Sequence, residues 1–291
     1  MSWRTVIISN RCKLDLNMGY MIVRGENTKR IFIDEIGILM LENPQISMTG
    51  ALLSALSNNK TRIIFCDAKR SPYGELEPYY GCHDSSRKIR KQINWSNKQK
   101  GLVWTKIVSE KIWNQSLLLR EQGFEEEAGL LEKYIDEIEF CDASNREGHA
   151  AKVYFNALFG KKFSRGQENP VNASLNYGYG LILSAVNREV AINGYTSKLG
   201  LFHNNIFNPY NLSCDLMEPF RIVIDRNVVD MGTDKINFDT NVKRGMVELL
   251  SRTVRIDNSN QTLLNAIKIY CRSIFDAINE KDLSIIKFAE I

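Results

Sequence analysis

The stretch Ser71–Asp84, SPYGELEPYYGCHD, divides this chain of 291 residues into two parts with different residue patterns. Pro72, Gly74, Pro78 and Gly81 punctuate it so densely that it predicts a linker. Its Tyr73, Tyr79 and Tyr80 are expected to pack, and its His83 to be solvated. Upstream, Trp3–Ser9, Cys12–Met18, Tyr20–Arg24, Arg30–Ile33, Ile36–Leu41 and Thr61–Cys66 are short runs rich in Val, Ile, Phe and Tyr, parted by turn residues such as Asn10, Gly19 and Gly25. Runs of that kind read as strands, and CKLDLNM alternates apolar with polar side chains as a half-buried strand does. Thr49–Leu56 reads as a short helix. Downstream, apolar residues recur three and four apart over Arg87–Lys100, Leu102–Gln122, Glu125–Phe140, Glu147–Phe159, Ala173–Ile192, Leu212–Asp225, Val242–Leu250 and Thr262–Asn279, the spacing of helices packed on one face. The expected fold class is therefore α+β: a small N-terminal β-sandwich-like domain over residues 1–70, a linker over 71–84, and a mostly α-helical domain over 85–291.

Composition sets the class. Apolar residues at 44% and charged residues at 25% are those of a globular protein. No run approaches a membrane span, and the N-terminus has neither the apolar length nor the small-residue site of a signal peptide; a cytoplasmic location is expected. The six cysteines are scattered with no C-x-x-C pair, which argues against a zinc knuckle and predicts buried thiols in a reducing compartment. A net charge of +4 says little alone, but Arg87–Lys111 concentrates lysines and arginines, with Trp95 and Trp104 among them. That pattern suits either a phosphate backbone or a solvated helix face.

The stretch Lys198–Asp225, KLGLFHNNIFNPYNLSCDLMEPFRIVID, carries the chemistry. His203 lies in a run crowded with Gly200, Asn204, Asn205, Asn208, Pro209 and Asn211, too rich in turn formers for regular structure. An apolar-periodic segment follows in which Asp215 and Glu218 stand three apart, on one face of a helix. Pro219 has no N–H to give to the carbonyl of Asp215, so a bend is expected beside the acids. A loop histidine facing two acids lacks a further ligand. One candidate is Glu147 in SNREGHAAKVYF, on the face shared by Ala150, Ala151 and Tyr154. The same residue fits an S-x-x-E capping box with Ser144. Further on, Asn176, Tyr177 and Tyr179 lie among Gly178 and Gly180, either as phosphate donors or as polar handles of close helix packing.

Together these stretches resemble the CRISPR-associated integrase family Cas1, metal-dependent nucleases that insert new spacers into a CRISPR array. The resemblance rests on REGHAAKVYF, LNYGYGLI, LGLFHN and CDLMEPFR, in that order behind a β-rich region. Chain length and the HNNIFNPYNLSCDLMEPFR run look closest to the type II systems. The resemblance implies metal ligands and catalytic residues at Glu147, His203 and Glu218, with Asp215 beside the metal, and Mg2+ or Mn2+ as cofactor. It implies double-stranded DNA as substrate (fragment and CRISPR array), a homodimer through the β-rich domain, Cas2 as bridging partner, and Cas9 and Csn2 as companions in fragment selection. Lys152, Lys161, Lys162 and Arg165 become candidates for backbone contacts, and Arg221 for a contact to the acid or a phosphate. Two other readings share these residues: a structure-specific metal nuclease acting on branched DNA in repair, and a DNA-binding assembly subunit with an inert site.

Overall fold

The computed structural model describes residues 4–68, 70, 72–76, 82–232 and 236–291. The chain forms two compact units, Met1–His83 and Asp84–Ile291. In the first, β1 (Arg4–Ile8), β5 (Ile36–Leu41), β7 (Arg62–Cys66) and β8 (Pro72–Leu76) form one sheet in the order β1-β5-β7-β8. The others, β2 (Lys13–Asn17), β3 (Tyr20–Arg24), β4 (Thr28–Phe32) and β6 (Ser47–Met48), form a second in the order β4-β3-β2-β6. Every residue of β5 is buried, as expected of a strand with parallel neighbours on both sides. Val6, Leu14, Met21, Ile36, Leu39 and Ile63 of the two sheets share one core with Leu52 and Leu56 of α1 (Gly50–Asn58). This is the sandwich-like domain expected.

Pro72–Leu76 departs from the linker expectation. It pairs antiparallel with β7, its Pro72 opposite Cys66 at a register shift. On an edge strand Pro and Gly are tolerated, because no inner neighbour needs their N–H groups. Tyr73 is 85% exposed rather than packed. Residues 1–3, 69, 71 and 77–81, and with them Trp3, Tyr79 and Tyr80, lie outside the described residues.

The second unit holds α2 (Ser85–Ile93), α3 (Asn97–Glu121), α4 (Glu125–Asp136), α5 (Arg146–Phe159), α6 (Pro170–Ile192), α7 (Asn211–Met217), α8 (Arg221–Asp230), α9 (Thr240–Leu249) and α10 (Leu263–Glu280). The helix expected over Arg87–Lys100 is broken, because Ser96 and Gln99 form a reciprocal capping box that starts α3 afresh. A small sheet of β9 (Thr253–Ile256), β10 (Ser259–Thr262) and β11 (Ala289–Glu290) also stands in this mostly helical unit. Its hairpin turns on Asp257 and Asn258, both at positive φ, the conformation of a tight two-residue hairpin loop.

Helix α3 is the axis of the unit, packed against α4, α5, α8 and α10. It buries Val103, Trp104, Ile107, Val108, Ile112, Leu118 and Leu119. Trp104 is fully buried and Trp95 nearly so, which removes both from the nucleic-acid contact their basic surroundings suggested. Cys66 and Cys271 are buried as expected of thiols packed as apolar groups, whereas Cys12, Cys82, Cys141 and Cys214 are half-buried. Among the described residues no helix is long and apolar enough to cross a membrane.

Candidate active site

The helix carrying Asp215 and Glu218 breaks where Pro219 requires. Helix α7 ends at Met217, Glu218–Phe220 form a tight 3-10 turn, and α8 resumes at Arg221. The two acids then part in role. Asp215 is fully buried and accepts the backbone N–H groups of Leu201 (2.6 Å), Phe202 (3.1 Å) and His203 (3.1 Å), closing the loop ahead of the helix. Gly200 makes that closure possible, since a Cβ there would lie 2.3 Å from the His203 carbonyl oxygen and 2.7 Å from Asp215 Oδ2. Asp215 Oδ1 is also 2.6 Å from His203 Nδ1. With an ionised Asp215 the Nδ1 proton is fixed there, leaving the Nε2 lone pair for a ligand. Trp104 stacks on Phe202 at 4.7 Å and meets the imidazole edge-on at 5.7 Å, which limits the ring's tilt. The hydrogen bond to Asp215 raises the His203 pKa above its ordinary value against the opposing effect of burial. A metal ion bound at this ring would have to displace a proton more firmly held than usual.

Glu147 enters from α5. Its backbone explains why Ser144 does not cap: Asp142, at positive φ, turns its carboxylate onto Arg146 N (2.7 Å) and Glu147 N (3.1 Å), while Ser144 Oγ donates to the Glu137 carbonyl. The Glu147 side chain is thereby released from its own helix end and points at Lys111 Nζ on α3, 2.5 Å away. The same nitrogen lies 2.6 Å from Glu218 Oε2. One nitrogen touching both carboxylates brings them within reach of a common cation. Glu218 is 3% exposed and also pairs with Arg221 Nη2 at 2.9 Å. Burial pushes its pKa up, but Lys111 and Arg221 outweigh that and hold it at about 2.

Glu147, His203 and Glu218 line one cavity of about 240 Å³ with Lys111, Gln115, Arg165, Tyr179, Arg221 and Asp225 among its walls. Their ligand atoms do not all lie within 4.8 Å of one another. What stands between the carboxylates is the Lys111 ammonium. Cys82, His83 and Asp84 do meet that limit, as consecutive residues readily do. The donor set suits a hard divalent cation: two carboxylates and an imidazole nitrogen fit Mg2+ or Mn2+, the nitrogen favouring Mn2+. Gln115 Oε1, buried in the wall, accepts no hydrogen bond among the described residues, and Glu218 Oε2 is met by the Lys111 ammonium, so the wall holds acceptors that a cation can complete. The ion and the ammonium cannot share that place. Unit charges about 4 Å apart repel by about 4 kcal/mol at an effective dielectric near 20, and a divalent ion doubles this.

A second buried cluster adjoins the first. Asp225 on α8 accepts the hydroxyls of Tyr154 (3.0 Å) and Tyr179, and burial raises its pKa to about 6. The Tyr179 ring lies 4.6 Å under the Arg221 guanidinium and 5.3 Å from that of Arg165. Tyr179 is thus both a packing handle and a support for cations facing the cavity. Gly178 lets α6 approach α8, where a Cβ would come within 2.4 Å of Ile224. Asn176 and Asn172 are taken up by Arg165, which is consequently half-buried, unlike the exposed Lys152, Lys161 and Lys162. His149 is exposed, as its position on α5 implied.

Lys111, Asp142, Gly200 and Asp225 were not legible as site residues in the sequence. Lys111 ends the basic segment, indistinguishable there from its solvent-facing neighbours. Gly200 had a faint signal in its crowded turn.

A β-sandwich-like unit and a helical unit with an acid–imidazole cavity at a proline-broken helix define the class to which the chain belongs. A family model, CRISPR associated protein Cas1, matches residues 5–255, and the chain belongs to that family. The CRISPR-associated endonuclease Cas1 of Neisseria meningitidis serogroup C (strain 8013) is 32% identical over 100% of this chain and 97% of its own. That of Francisella tularensis subsp. novicida (strain U112) is 23% identical over 83% of each. In fold, a CAS1 protein from Thermotoga maritima superimposes with a TM-score of 0.78 at 17% identity, covering 99% of this chain and 100% of that one. A casposase bound to integration product gives 0.77 at 14% identity, over 97% and 92%. A Cas6-RT-Cas1–Cas2 complex chain gives 0.77 at 16%; 97% of this chain covers 36% of that one.

Proposed function

We propose that this protein is a metal-dependent DNA endonuclease and integrase that inserts foreign DNA fragments as new spacers into a CRISPR array. The observation that carries the reading is the convergence of Glu147 and Glu218, from two different helices, on one cation position in the cavity that His203 lines. Glu147, His203 Nε2 and Glu218 would hold Mg2+ or Mn2+, which when bound polarises a phosphodiester and lowers the pKa of a nucleophilic hydroxyl. Asp215 keeps the imidazole in the tautomer that presents Nε2. Arg221, anchored on Glu218 and over Tyr179, holds positive charge at the cavity wall, where a scissile phosphate would develop negative charge. Delivery of water gives hydrolysis; delivery of a DNA 3′-hydroxyl gives strand transfer. Both are the same in-line displacement on phosphorus and need no nucleotide cofactor.

Membership of the Cas1 family and the relatives named as endonucleases support the nuclease assignment. The complex with Cas2 and the integration-product complex among the structural relatives support DNA and Cas2 as partners and strand transfer as the chemistry. Insertion of both fragment ends requires two spaced sites; the family resemblance supplies them as a homodimer through the β-rich unit with a bridging Cas2, and adds Cas9 and Csn2 in selecting the fragment. The test is a strand-transfer assay with Cas2, a fragment with free 3′-hydroxyls and an array target, with and without Mn2+. Joined fragment–array products that vanish without metal, and with Glu147→Gln, support integration. Cut products alone on branched DNA would instead identify a repair nuclease.

A further inference from the structure

Lys111 does not belong to the ligand set, yet its ammonium occupies the place between the two carboxylates. It is 11% exposed, 2.5 Å from Glu147 Oε1 and 2.6 Å from Glu218 Oε2. Without it, two carboxylates would face each other in a half-closed cavity, and Arg221, on the far oxygen of Glu218, does not stand between them. Helix α3 also provides a place for the ammonium to go. One turn further along, on the same face, Gln115 lines the cavity with Oε1 buried and accepting no hydrogen bond among the described residues.

We propose that Lys111 is the resident counter-cation of the metal site, exchanged for the divalent ion on loading and received by Gln115 Oε1. This rests on the metal-site reading above and adds a residue to it. Lys111 is a positioning residue: it keeps Glu147 and Glu218 together in the empty protein and sets the threshold of metal concentration at which they are loaded. The exchange moves one side chain and breaks no covalent bond. The apparent metal affinity is the intrinsic one reduced by the fraction of molecules whose site the ammonium has left.

The experiment is calorimetric titration of the full chain with Mn2+, without DNA, alongside thermal unfolding in EDTA and in Mn2+. Lys111→Met is expected to bind Mn2+ about tenfold more tightly than the wild type. It is also expected to melt lower in EDTA and to gain more from Mn2+. Equal or weaker Mn2+ binding by a folded Lys111→Met would overturn the proposal. Should that variant fail to fold, lysine acylation of the wild type, read by mass spectrometry, decides. Labelling of Lys111 should rise on adding Mn2+ while that of exposed Lys106 stays constant, and unchanged Lys111 labelling in Mn2+-bound protein would overturn exchange. Glu147→Gln and Glu218→Gln separate the two levels: if they bind Mn2+ as the wild type does, the metal-site reading itself fails.

Discussion

At the scale of single residues, the cavity sets unlike demands on three buried carboxylates. Glu218 is held ionised by Lys111 and Arg221, Asp215 is bound to the His203 ring and loop amides, and Asp225 has its pKa raised to about 6 by burial. Replacing Glu147 or Glu218 by Gln, or His203 by Ala, should lower strand transfer at least about a hundredfold with Mn2+ binding lost in parallel. Asp215→Asn leaves the ring without its fixed tautomer, so Mn2+ affinity by calorimetry should fall about 10- to 100-fold. Asp225 yields a pH prediction whose sign follows from the direction of its shift. Its folded pKa, about 6, lies above the ordinary 3.8, so its contribution is complete below 3.8 and lost as pH rises through 6. Above that point the ionised form costs on the order of 3 kcal/mol. Urea unfolding of wild type and Asp225→Asn at pH 4.5 and pH 8 should therefore show the stability difference moving in favour of Asn at pH 8. A difference independent of pH would mean that Asp225 titrates normally.

At the scale of elements, the site is three chain segments held at fixed angles by close contacts. Helices α6 and α8 meet at Gly178 and Ile224, where an added Cβ has no room. Gly178→Ala should cost about 1–3 kcal/mol by chemical denaturation, as overpacking does. The displacement reaches Glu218 and Arg221 at the start of α8, so activity should fall further than the stability loss explains. How much of this was legible differs by the range of the interaction. Pro219 broke the helix where it was expected to, since its missing N–H acts within one turn. The order of strands then helices was legible for the same local reason. The cap of α5 was not, because Ser144 and Asp142 are both acceptable caps and the positive φ values at Cys141, Asp142 and Asn145 choose between them. Nor was the burial of Trp104, whose stacking on Phe202 joins α3 to a loop far along the chain. Convergence of Lys111 with Glu147 and Glu218 is likewise long-range, and no periodicity within α3 announces it.

At the scale of the whole molecule, a net charge of +4 cannot by itself hold a DNA duplex, so the placement of the cations decides. Helix α2 contributes Arg87, Arg90 and Lys91 to an open cavity of about 420 Å³, with Lys281 beyond the end of α10 on its wall and the buried face of Trp95 beneath. Of these, Arg87 already pairs with Asp84 at 2.7 Å and offers less to a phosphate than Arg90 or Lys91. Each lysine or arginine that neutralises a phosphate contributes about −0.9 to the slope of log affinity against log salt on duplex DNA. If α2 lies along the backbone, Arg90→Ala with Lys91→Ala should reduce that slope by nearly two and weaken binding equally for all sequences. Single-turnover cleavage at saturating DNA should be unchanged, because neither residue touches the cavity that holds Glu147, His203 and Glu218. Fluorescence anisotropy of a labelled duplex across a salt series measures both slope and affinity. An unaltered slope would make the basic face of α2 a solvated helix surface and assign the electrostatic work to cations nearer the site, with exposed Lys152, Lys161 and Lys162 the next to replace.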